Sequence, residues 1–271
     1  MGVPLIDLKS VSFSYGKNEY ALKDISLIIE EGEIYSVIGR NGSGKSTLVK
    51  IISGVFFGYE GTMNYCGKPA AGYDRKFLAR QIAYVPQENA VTDMNITVSD
   101  LLFFGRYAYK NFTDFRNKGK DVSAVNESLA ILGIEEFRNK KLGGLSGGER
   151  QKVFLALALV QLDIISEMDG KVLIVDEPLT FLDVNYQFEI FNVLTKLNKR
   201  GLTVLAVTHD LNIAMKYSGR TLLFDKGILV KSGITSDIIT EESLSKYFMI
   251  NSQIVNFEND FHINFIPNSK I

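Results

Sequence analysis

The stretch Gly39-Arg40-Asn41-Gly42-Ser43-Gly44-Lys45-Ser46-Thr47 decides the fold, because it fits the pattern G-x-x-x-x-G-K-[ST]. A short apolar run, Ile34–Ile38, precedes it, and apolar residues recur at helical spacing from Lys45 to Phe56. In a loop between a strand and a helix, glycines let backbone N–H groups converge on one anion. The stretch therefore predicts a nucleoside triphosphate site, with Lys45 reaching the β- and γ-phosphates and the Ser46 hydroxyl binding Mg²⁺.

Short β-branched runs predict an α/β core around this loop. Residues 172–175 and 203–207 have the composition of buried strands, and residues 186–199 between them have helical periodicity. Such a strand–helix–strand unit indicates a parallel sheet. Residues 5–29 hold strand patterns that predict an antiparallel β layer, whereas residues from about 91 to 158 are largely helical in pattern. The predicted fold is an α/β P-loop NTPase core of the RecA-like kind, with an antiparallel β layer and an inserted helical subdomain.

Composition excludes several function classes. The 271 residues carry 30 Lys and Arg against 31 Asp and Glu, so the net charge is −1 and no overall field attracts nucleic acid. The longest strictly apolar run, residues 153–160, is far below the roughly 18 residues that span a bilayer. The single cysteine, Cys66, excludes an internal disulfide and a cysteine-cluster metal site. The chain is expected to be cytoplasmic, and any membrane connection is expected to come through a partner.

Two adjacent carboxylates follow a predicted buried strand, in Val172-Leu173-Ile174-Val175-Asp176-Glu177-Pro178. Ligands of parallel sheets bind at the carboxyl ends of the strands. Asp176 is therefore predicted to hold Mg²⁺, and Glu177 to polarise the attacking water as a general base. Two solvated acids at a strand end are the alternative, which the phosphate loop makes less probable.

A second small-residue loop, Leu145-Ser146-Gly147-Gly148-Glu149-Arg150-Gln151, precedes an apolar helix of about residues 152–162. Like the phosphate loop, it presents backbone N–H groups at a helix N-terminus, where they can bind phosphate. Ser146 and Glu149 also have the spacing of a capping box, which would make the loop an ordinary helix start. The two interpretations are compatible.

The motifs occur in an order that resembles the ATP-binding subunits of ABC transporters. That set comprises an aromatic adenine-stacking position, the phosphate loop, a glutamine after a strand, the LSGGERQ signature, the acidic pair, an aspartate after it and a histidine after a later strand. In this chain the members outside the loops already quoted are Tyr15, Gln87 in Tyr84-Val85-Pro86-Gln87, Asp183 in Phe181-Leu182-Asp183, and His209 in Val207-Thr208-His209-Asp210.

The resemblance implies a role for each matching residue. The implied catalytic residues are Glu177, His209, Gln87 and Lys45, and the implied Mg²⁺ ligands are Ser46, Gln87 and Asp176. ATP would be bound by Tyr15, Gly39, Asn41, Gly42, Ser43, Gly44, Lys45, Ser46 and Thr47 of one subunit and by Ser146, Gly147 and Gly148 of another. The implied assembly is an ATP-dependent head-to-tail homodimer with two ATPs in its interface, in which Asp183 contacts the opposite subunit.

Within the ABC family, two passages resemble the importers of iron(III)-siderophores, heme and cobalamin. They are residues 94–107, with Gly105-Arg106-Tyr107, and residues 179–187, although Leu179, Tyr186 and Ala108 depart from that group's pattern. The resemblance implies a transport ATPase at the inner face of the cell membrane, bound to separate permease subunits and served indirectly by a substrate-binding protein. It implies a domain of residues 1–250, with a core of 1–90 and 159–250 around the helical subdomain of about 91–158, and a β tail of 251–271.

Other cargoes and other functions remain open at this stage. An importer of cobalamin, heme or a metal ion fits the same motifs. A non-transport ATPase acting on ribosomes or DNA is a rival of another class, but the near-neutral charge and single ATPase module argue against it, so no nucleic-acid partner is expected.

Overall fold

The computed structural model describes residues 3–16, 19–87, 95–111, 116–177, 184–257 and 260–266. The chain forms two compact units. The first consists of Met1–Ala71 and Leu205–Ile271, and the second of Gly72–Val204. The residues Pro178, Leu179, Phe181, Leu182 and Asp183, which are named above, lie outside the described residues.

The first unit begins with the predicted antiparallel layer. Its elements in this part are β1 (Ile6–Ser14), β2 (Tyr20–Ile29), β3 (Ile34–Ile38), α1 (Lys45–Ile52), β4 (Glu60–Tyr65) and β5 (Lys68–Pro69). β1 pairs antiparallel with β2 on one side and with β4 on the other. Its register shifts between Leu8 and Val11, around Ser10 with its positive φ, so the buried positions change phase along the strand as they do at a β-bulge.

The helix that follows the phosphate loop is shorter than its apolar pattern predicts. α1 ends at Ile52, because Ser53 closes it and Gly54 then adopts a left-handed φ of 71°. The N–H groups of Val55 and Phe56 both bond to the Lys50 carbonyl, so these apolar residues continue the chain without continuing the helix.

The second unit holds the helices that the sequence predicts. Its elements are α2 (Arg75–Gln81), β6 (Ile82–Val85), α3 (Val98–Phe104), α4 (Gly119–Ile131), α5 (Gly147–Leu162), β7 (Val172–Asp176), α6 (Val184–Asn198) and the start of β8 (Thr203–Val207). β6 and β7 run parallel, with Val85 opposite Val175, so the chain segments after both strands emerge at the same edge. α3 and α4 pack against α5, whose side chains are buried along most of its length.

A buried arginine anchors the C-terminal end of α5. Arg106 is 3% exposed; its Nε donates to Asp121 Oδ1 at 2.8 Å, and its Nη1 donates to the Val160 carbonyl at 3.2 Å. The guanidinium lies 3.7 Å from the ring centroid of Tyr109, whose pKa burial raises to about 12. Burial acts to raise the pKa of Asp121, but the hydrogen bonds from Arg106 and from the Lys118 backbone outweigh it, and the pKa is lowered. Arg106, the central residue of the Gly105-Arg106-Tyr107 triplet, thus has a structural role in this unit.

The last part of the chain completes the first unit. After the end of β8 come α7 (Leu211–Tyr217), β9 (Arg220–Asp225), β10 (Ile228–Ile234), α8 (Thr235–Ile238), α9 (Glu241–Ser243), a π-helical turn (Leu244–Phe248), β11 (Asn251–Phe257) and β12 (Asp260–Ile266). β9 pairs parallel with β3 and antiparallel with β10, whereas β11 and β12 form a separate hairpin. The hairpin packs on α7 and buries Ile263 against apolar residues that include Leu211 and Leu244.

In the described part of the chain, no helix has both the length and the apolar character needed to cross a bilayer.

Candidate functional site

The phosphate loop joins β3 to α1 in the first unit. Lys45 is only 4% exposed, and its Nζ donates to the carbonyls of Gly39 at 2.9 Å and Arg40 at 3.1 Å. The Lys45 amine therefore bonds back to the first two residues of the loop and joins the two ends of the loop. α1 begins directly after Gly44, whose carbonyl accepts the first helical hydrogen bond, from Leu48 N at 2.9 Å. The loop combines a helix N-terminus with a buried cation, and both favour a bound anion.

Two glycines of the loop are required by its geometry. A Cβ at Gly39 would lie 2.2 Å from the carbonyl oxygen of Phe224, and a Cβ at Gly44 would lie 2.8 Å from that of Ala21. Their φ angles, 148° and 102°, are also ones that other residues rarely adopt. Backbone crowding from β9 and β2 therefore permits only glycine at both positions.

The other predicted ligands of the loop differ in exposure. Asn41 and Gly42 are exposed, Ser46 is half-buried, and Thr47 is buried at the start of α1. Ser43 is buried as well, and among the described residues its hydroxyl has no hydrogen-bond partner, whereas its backbone N donates to the Arg40 carbonyl at 3.1 Å. Ser43 therefore contributes to the shape of this loop through its backbone and not through its hydroxyl.

Tyr15 lies beside the phosphate loop, as its predicted role requires. Its hydroxyl is 3.0 Å from Thr47 Oγ1, and the residue is 66% exposed. The rings of Phe13 and Phe56 meet the Tyr15 ring edge to face, with centroids 5.3 Å and 5.5 Å away. Tyr15 thus presents aromatic surface to solvent while its position is supported by two other rings.

His209 follows β8 in the first unit and is exposed. The backbone N of the preceding residue, Thr208, donates to the carbonyl of Val37 in β3 at 3.3 Å. The following residue, Asp210, caps α7 by accepting from Ile213 N at 3.0 Å. His209 therefore lies between the end of β8, which is bonded to β3, and the capped N-terminus of α7. β3 is the strand that leads into the phosphate loop.

The acidic pair lies at the carboxyl end of β7 in the second unit. Asp176 is 2% exposed, and its Oδ2 accepts a hydrogen bond from the hydroxyl of Tyr84 in β6 at 3.0 Å. Glu177 has a φ of 50°, in the left-handed region that few residues other than glycine adopt. Such strain is concentrated at functional sites, and here it turns the chain immediately after a buried strand.

Gln87 is brought to the acidic pair by the parallel pairing of β6 and β7. Its Nε2 donates to Glu177 Oε2 at 2.5 Å. This contact joins two residues that the resemblance assigns to the reaction. It uses the amide nitrogen of Gln87 and not the amide oxygen, which is the atom that would bind a cation.

The signature loop forms the capping box that its sequence predicts. Ser146 Oγ accepts from Glu149 N at 3.3 Å, and Ser146 N donates to Glu149 Oε2 at 2.7 Å. The hydrogen bond from the Ser146 backbone lowers the pKa of Glu149. Ser146 and Gly147 are exposed, and a Cβ at Gly147 would meet nothing within 4 Å. Because Ser146 caps it, α5 begins at Gly147, five residues before the apolar pattern that predicts it.

The structure adds residues that the sequence analysis does not assign. Tyr84 lies within the quoted glutamine motif, but its contact with Asp176 depends on which strand pairs with β6. Lys152 donates to Glu189 Oε2 at 2.6 Å and lies 4.4 Å from the ring centroid of Tyr186, so it links α5 to α6. Tyr186 is one of the departures from the importer pattern, and this contact gives it a local role.

The side chains that the resemblance assigns to a cation would suit Mg²⁺ better than a softer metal. Ser46, Gln87 and Asp176 offer a hydroxyl, an amide carbonyl and a carboxylate, all oxygen ligands. No group of three or more His, Cys, Asp or Glu that could hold a metal occurs in the described ranges. Mg²⁺ needs no such group, because it is usually held by one or two carboxylates together with waters and substrate phosphates.

Comparison with known proteins agrees with these observations. The family model described as ABC transporter matches residues 22–180. A manganese transport system ATP-binding protein of Halalkalibacterium halodurans is 35% identical over 92% of this chain and 93% of its own length. The iron(3+)-hydroxamate import ATP-binding protein of Bacillus subtilis is 32% identical over 92% of this chain and 90% of its own.

A solved structure is similar over nearly the whole chain. A putative metal-chelate type ABC transporter in an inward-facing conformation is 25% identical, with a TM-score of 0.80 and coverage of 98% of both chains. The chain belongs to the ABC transporter family, in which it is an ATP-binding subunit that hydrolyses ATP. The predicted family, fold class and enzyme class are confirmed.

Proposed function

We propose that this chain powers the import of iron(III)-siderophore complexes through a separate membrane permease by hydrolysing ATP. The observation that carries the ATPase part is the buried Lys45 amine, which bonds to carbonyls of a phosphate loop in which Gly39 and Gly44 leave no room for a side chain. The carboxylates needed for hydrolysis are present in the second unit at the end of β7.

Nucleotide binding is assigned to residues of both loops. In our proposal Tyr15 stacks on the adenine, and the backbone N–H groups of residues 39–47 bind the phosphates together with Lys45. Ser46, Gln87 and Asp176 would hold Mg²⁺, which neutralises charge on the phosphate oxygens when bound. The all-oxygen character of these side chains supports that assignment.

Hydrolysis is assigned to Glu177, Gln87 and His209. Glu177 accepts a proton from the attacking water, and the hydrogen bond from Gln87 Nε2 orients its carboxylate. His209 donates a hydrogen bond to the γ-phosphate; its exposure beside the end of β3 supports this role. Exclusion of water by closure around ATP would complete the site.

Closure is assigned to a head-to-tail homodimer. Ser146, Gly147 and Gly148 of one subunit would bind the ATP held by the phosphate loop of the other. The exposure of Ser146 and Gly147 at the N-terminus of a capped sixteen-residue helix supports the proposal, since such a terminus attracts an anion. ATP binding then closes the dimer, and hydrolysis reopens it.

The domain organisation and location follow from the same proposal. Residues 1–250 form the ATP-binding domain, with a core of 1–90 and 159–250 and a helical subdomain of about 91–158, and residues 251–271 form a β tail. The subunit would lie in the cytoplasm, peripherally at the inner face of the membrane, bound to permease subunits and served indirectly by a substrate-binding protein. No nucleic-acid partner is proposed.

The manganese relative supports a second cargo. It is the more similar of the two relatives described above, at 35% identity, so import of a divalent metal ion is the alternative function. Heme and cobalamin fit the same subgroup resemblance. Purification of this subunit with its permease and binding protein, followed by binding of a panel of iron chelates, heme, cobalamin and Mn²⁺, separates these cargoes.

Replacement of the general base tests the enzymatic proposal. Glu177→Gln should retain ATP binding, reduce turnover by about 10²- to 10⁴-fold, and accumulate an ATP-bound dimer. Steady-state phosphate release, equilibrium nucleotide binding and size-exclusion chromatography with ATP measure the three quantities. Glu167→Gln, which changes an exposed carboxylate of the same unit, is the matched control and should hydrolyse ATP normally. Normal turnover in Glu177→Gln would contradict the assignment.

A further inference from the structure

Residues at the carboxyl end of β6 donate hydrogen bonds to both members of the acidic pair at the end of β7. Tyr84 in β6 donates through its hydroxyl to Asp176 Oδ2 at 3.0 Å, and Gln87, just beyond the same strand, donates to Glu177 Oε2 at 2.5 Å. The parallel register explains both contacts. Tyr84 lies opposite Ile174, which places it diagonally across from Asp176 on the same face, two residues further along β7.

The Tyr84 contact restricts a carboxylate that has little access to water. Asp176 is 2% exposed, so solvent cannot fix the orientation of its carboxylate. A hydrogen bond to Oδ2 sets the rotation of the carboxylate plane and so determines the direction in which Oδ1 points. Carboxylates that bind metals are commonly oriented by such outer hydrogen bonds, whose loss weakens metal affinity by about ten- to a hundredfold.

We infer that Tyr84 is a positioning residue for Mg²⁺ binding, which acts through Asp176. The inference rests on the proposed function, because it takes Asp176 as the carboxylate that supports the bound cation. Tyr84 itself touches neither nucleotide nor metal in this scheme. Its hydroxyl holds the Asp176 carboxylate in one orientation before Mg²⁺ arrives, which lowers the free energy needed to order the site.

Tyr84→Phe tests the inference, because it removes the hydroxyl and keeps the ring. Affinity for the non-hydrolysable analogue AMP-PNP is measured by calorimetry in EDTA and over a range of Mg²⁺ concentrations. We expect wild-type affinity in EDTA and a Mg²⁺ concentration for half-maximal stimulation about tenfold higher than in wild type. A purely structural role would weaken both affinities together, so the two measurements distinguish positioning from stability.

Tyr109→Phe is the matched control. It also removes a tyrosine hydroxyl that is hydrogen-bonded in the second unit, to the Gln161 carbonyl at 2.9 Å, and that has no contact with the acidic pair. The control should show wild-type Mg²⁺ dependence. If Tyr84→Phe has wild-type Mg²⁺ dependence, or if both variants shift equally, the inference is wrong.

A second pair of variants tests whether the effect passes through Asp176. In an Asp176→Asn background, Tyr84→Phe should cause no further change in Mg²⁺ dependence, because the carboxylate it orients is gone. An undiminished effect of Tyr84→Phe in that background would overturn the inference. Failure of the proposed function has a different signature: wild-type protein itself would show no Mg²⁺-stimulated binding of AMP-PNP.

Discussion

The two glycine-containing loops that precede helices α1 and α5 are similar in composition but differ in how tightly the surrounding chain packs against them. In the phosphate loop, a Cβ at Gly39 or Gly44 would overlap the backbone of a neighbouring strand, and Lys45 is bonded back to the loop carbonyls. In the signature loop, Gly147 has nothing within 4 Å of its absent Cβ, and the loop is closed by one capping box.

This difference indicates whether the glycines of each loop are needed for packing within the same unit. The glycines of the phosphate loop are explained within the first unit, because Gly39 and Gly44 avoid a clash with the backbone of neighbouring strands. Gly147 of the signature loop meets no such requirement in this unit, so its small size is consistent with the proposed approach of a second subunit. An exposed signature loop of this kind is what the proposed head-to-tail dimer requires, because the loop would complete the ATP site of another subunit.

The comparison predicts its largest effect at Gly39. Gly39→Ala would place a methyl group 2.2 Å from the Phe224 carbonyl oxygen at a φ of 148°, so we expect a loss of roughly 2–5 kcal/mol in unfolding free energy together with loss of ATP binding. Gly147→Ala should leave the stability of the monomer within about 0.5 kcal/mol of wild type. Thermal unfolding and calorimetric ATP titration measure both. Equal destabilisation by the two variants would show that the loops are not built differently.

Ser146→Arg sharpens the comparison by blocking the signature loop from outside. Nucleotide binding by the monomer should persist, whereas turnover should fall about a hundredfold, because a long cation at the interface opposes closure by several kcal/mol. Phosphate release and ATP-dependent dimerisation provide the measurements. Ser123→Arg, on the exposed surface of α4, is the control and should behave as wild type. Normal turnover in Ser146→Arg would exclude a composite site.

The sequence predicts local features better than pairings. The strand, phosphate loop and helix, and the capping box of Ser146, depend on contiguous residues, and the structure contains them where the patterns predict. α1 nevertheless ends four residues early, since Gly54 turns the chain, and α5 begins five residues early, since apolar spacing marks only the buried part of a capped helix.

Contacts between elements were not predictable in the same way. Tyr84 bonds to Asp176 because β6 pairs with β7 in one register, and Lys152 bonds to Glu189 because α5 packs beside α6. Neither neighbour relation is encoded within a contiguous stretch. Motifs therefore identify the residues proposed to touch the nucleotide more readily than the residues proposed to orient them.

A smaller effect is expected from Ser146→Ala, which removes the cap without blocking the loop. We expect a loss of about 1 kcal/mol in unfolding free energy at neutral pH. The pKa of Glu149 is lowered in the folded state, so its stabilising contribution is present above the unfolded pKa and is lost as pH falls through the folded pKa. The backbone N–H at position 146, which is the larger cause of this shift, remains in the variant. Both proteins should therefore lose stability in acid as Glu149 is protonated, and the difference in unfolding free energy between them should change little with pH. A difference that disappears in acid would mean that the Ser146 hydroxyl, and not the backbone N–H, holds the Glu149 carboxylate.

The smallest effect on stability is expected from the corresponding substitution of Ser43 in the phosphate loop. Its hydroxyl is buried and has no hydrogen-bond partner among the described residues, so Ser43→Ala removes a desolvated polar atom and no bond. We expect an unfolding free energy within about 0.5 kcal/mol of wild type or slightly higher, and unchanged ATP affinity, because the loop binds phosphate through its backbone. Thermal unfolding and ATP titration, run beside Ser146→Ala, compare the same substitution in both loops. If Ser43→Ala weakens ATP binding tenfold, the hydroxyl is a ligand, and the phosphate loop depends on a side chain that its backbone geometry alone would not require.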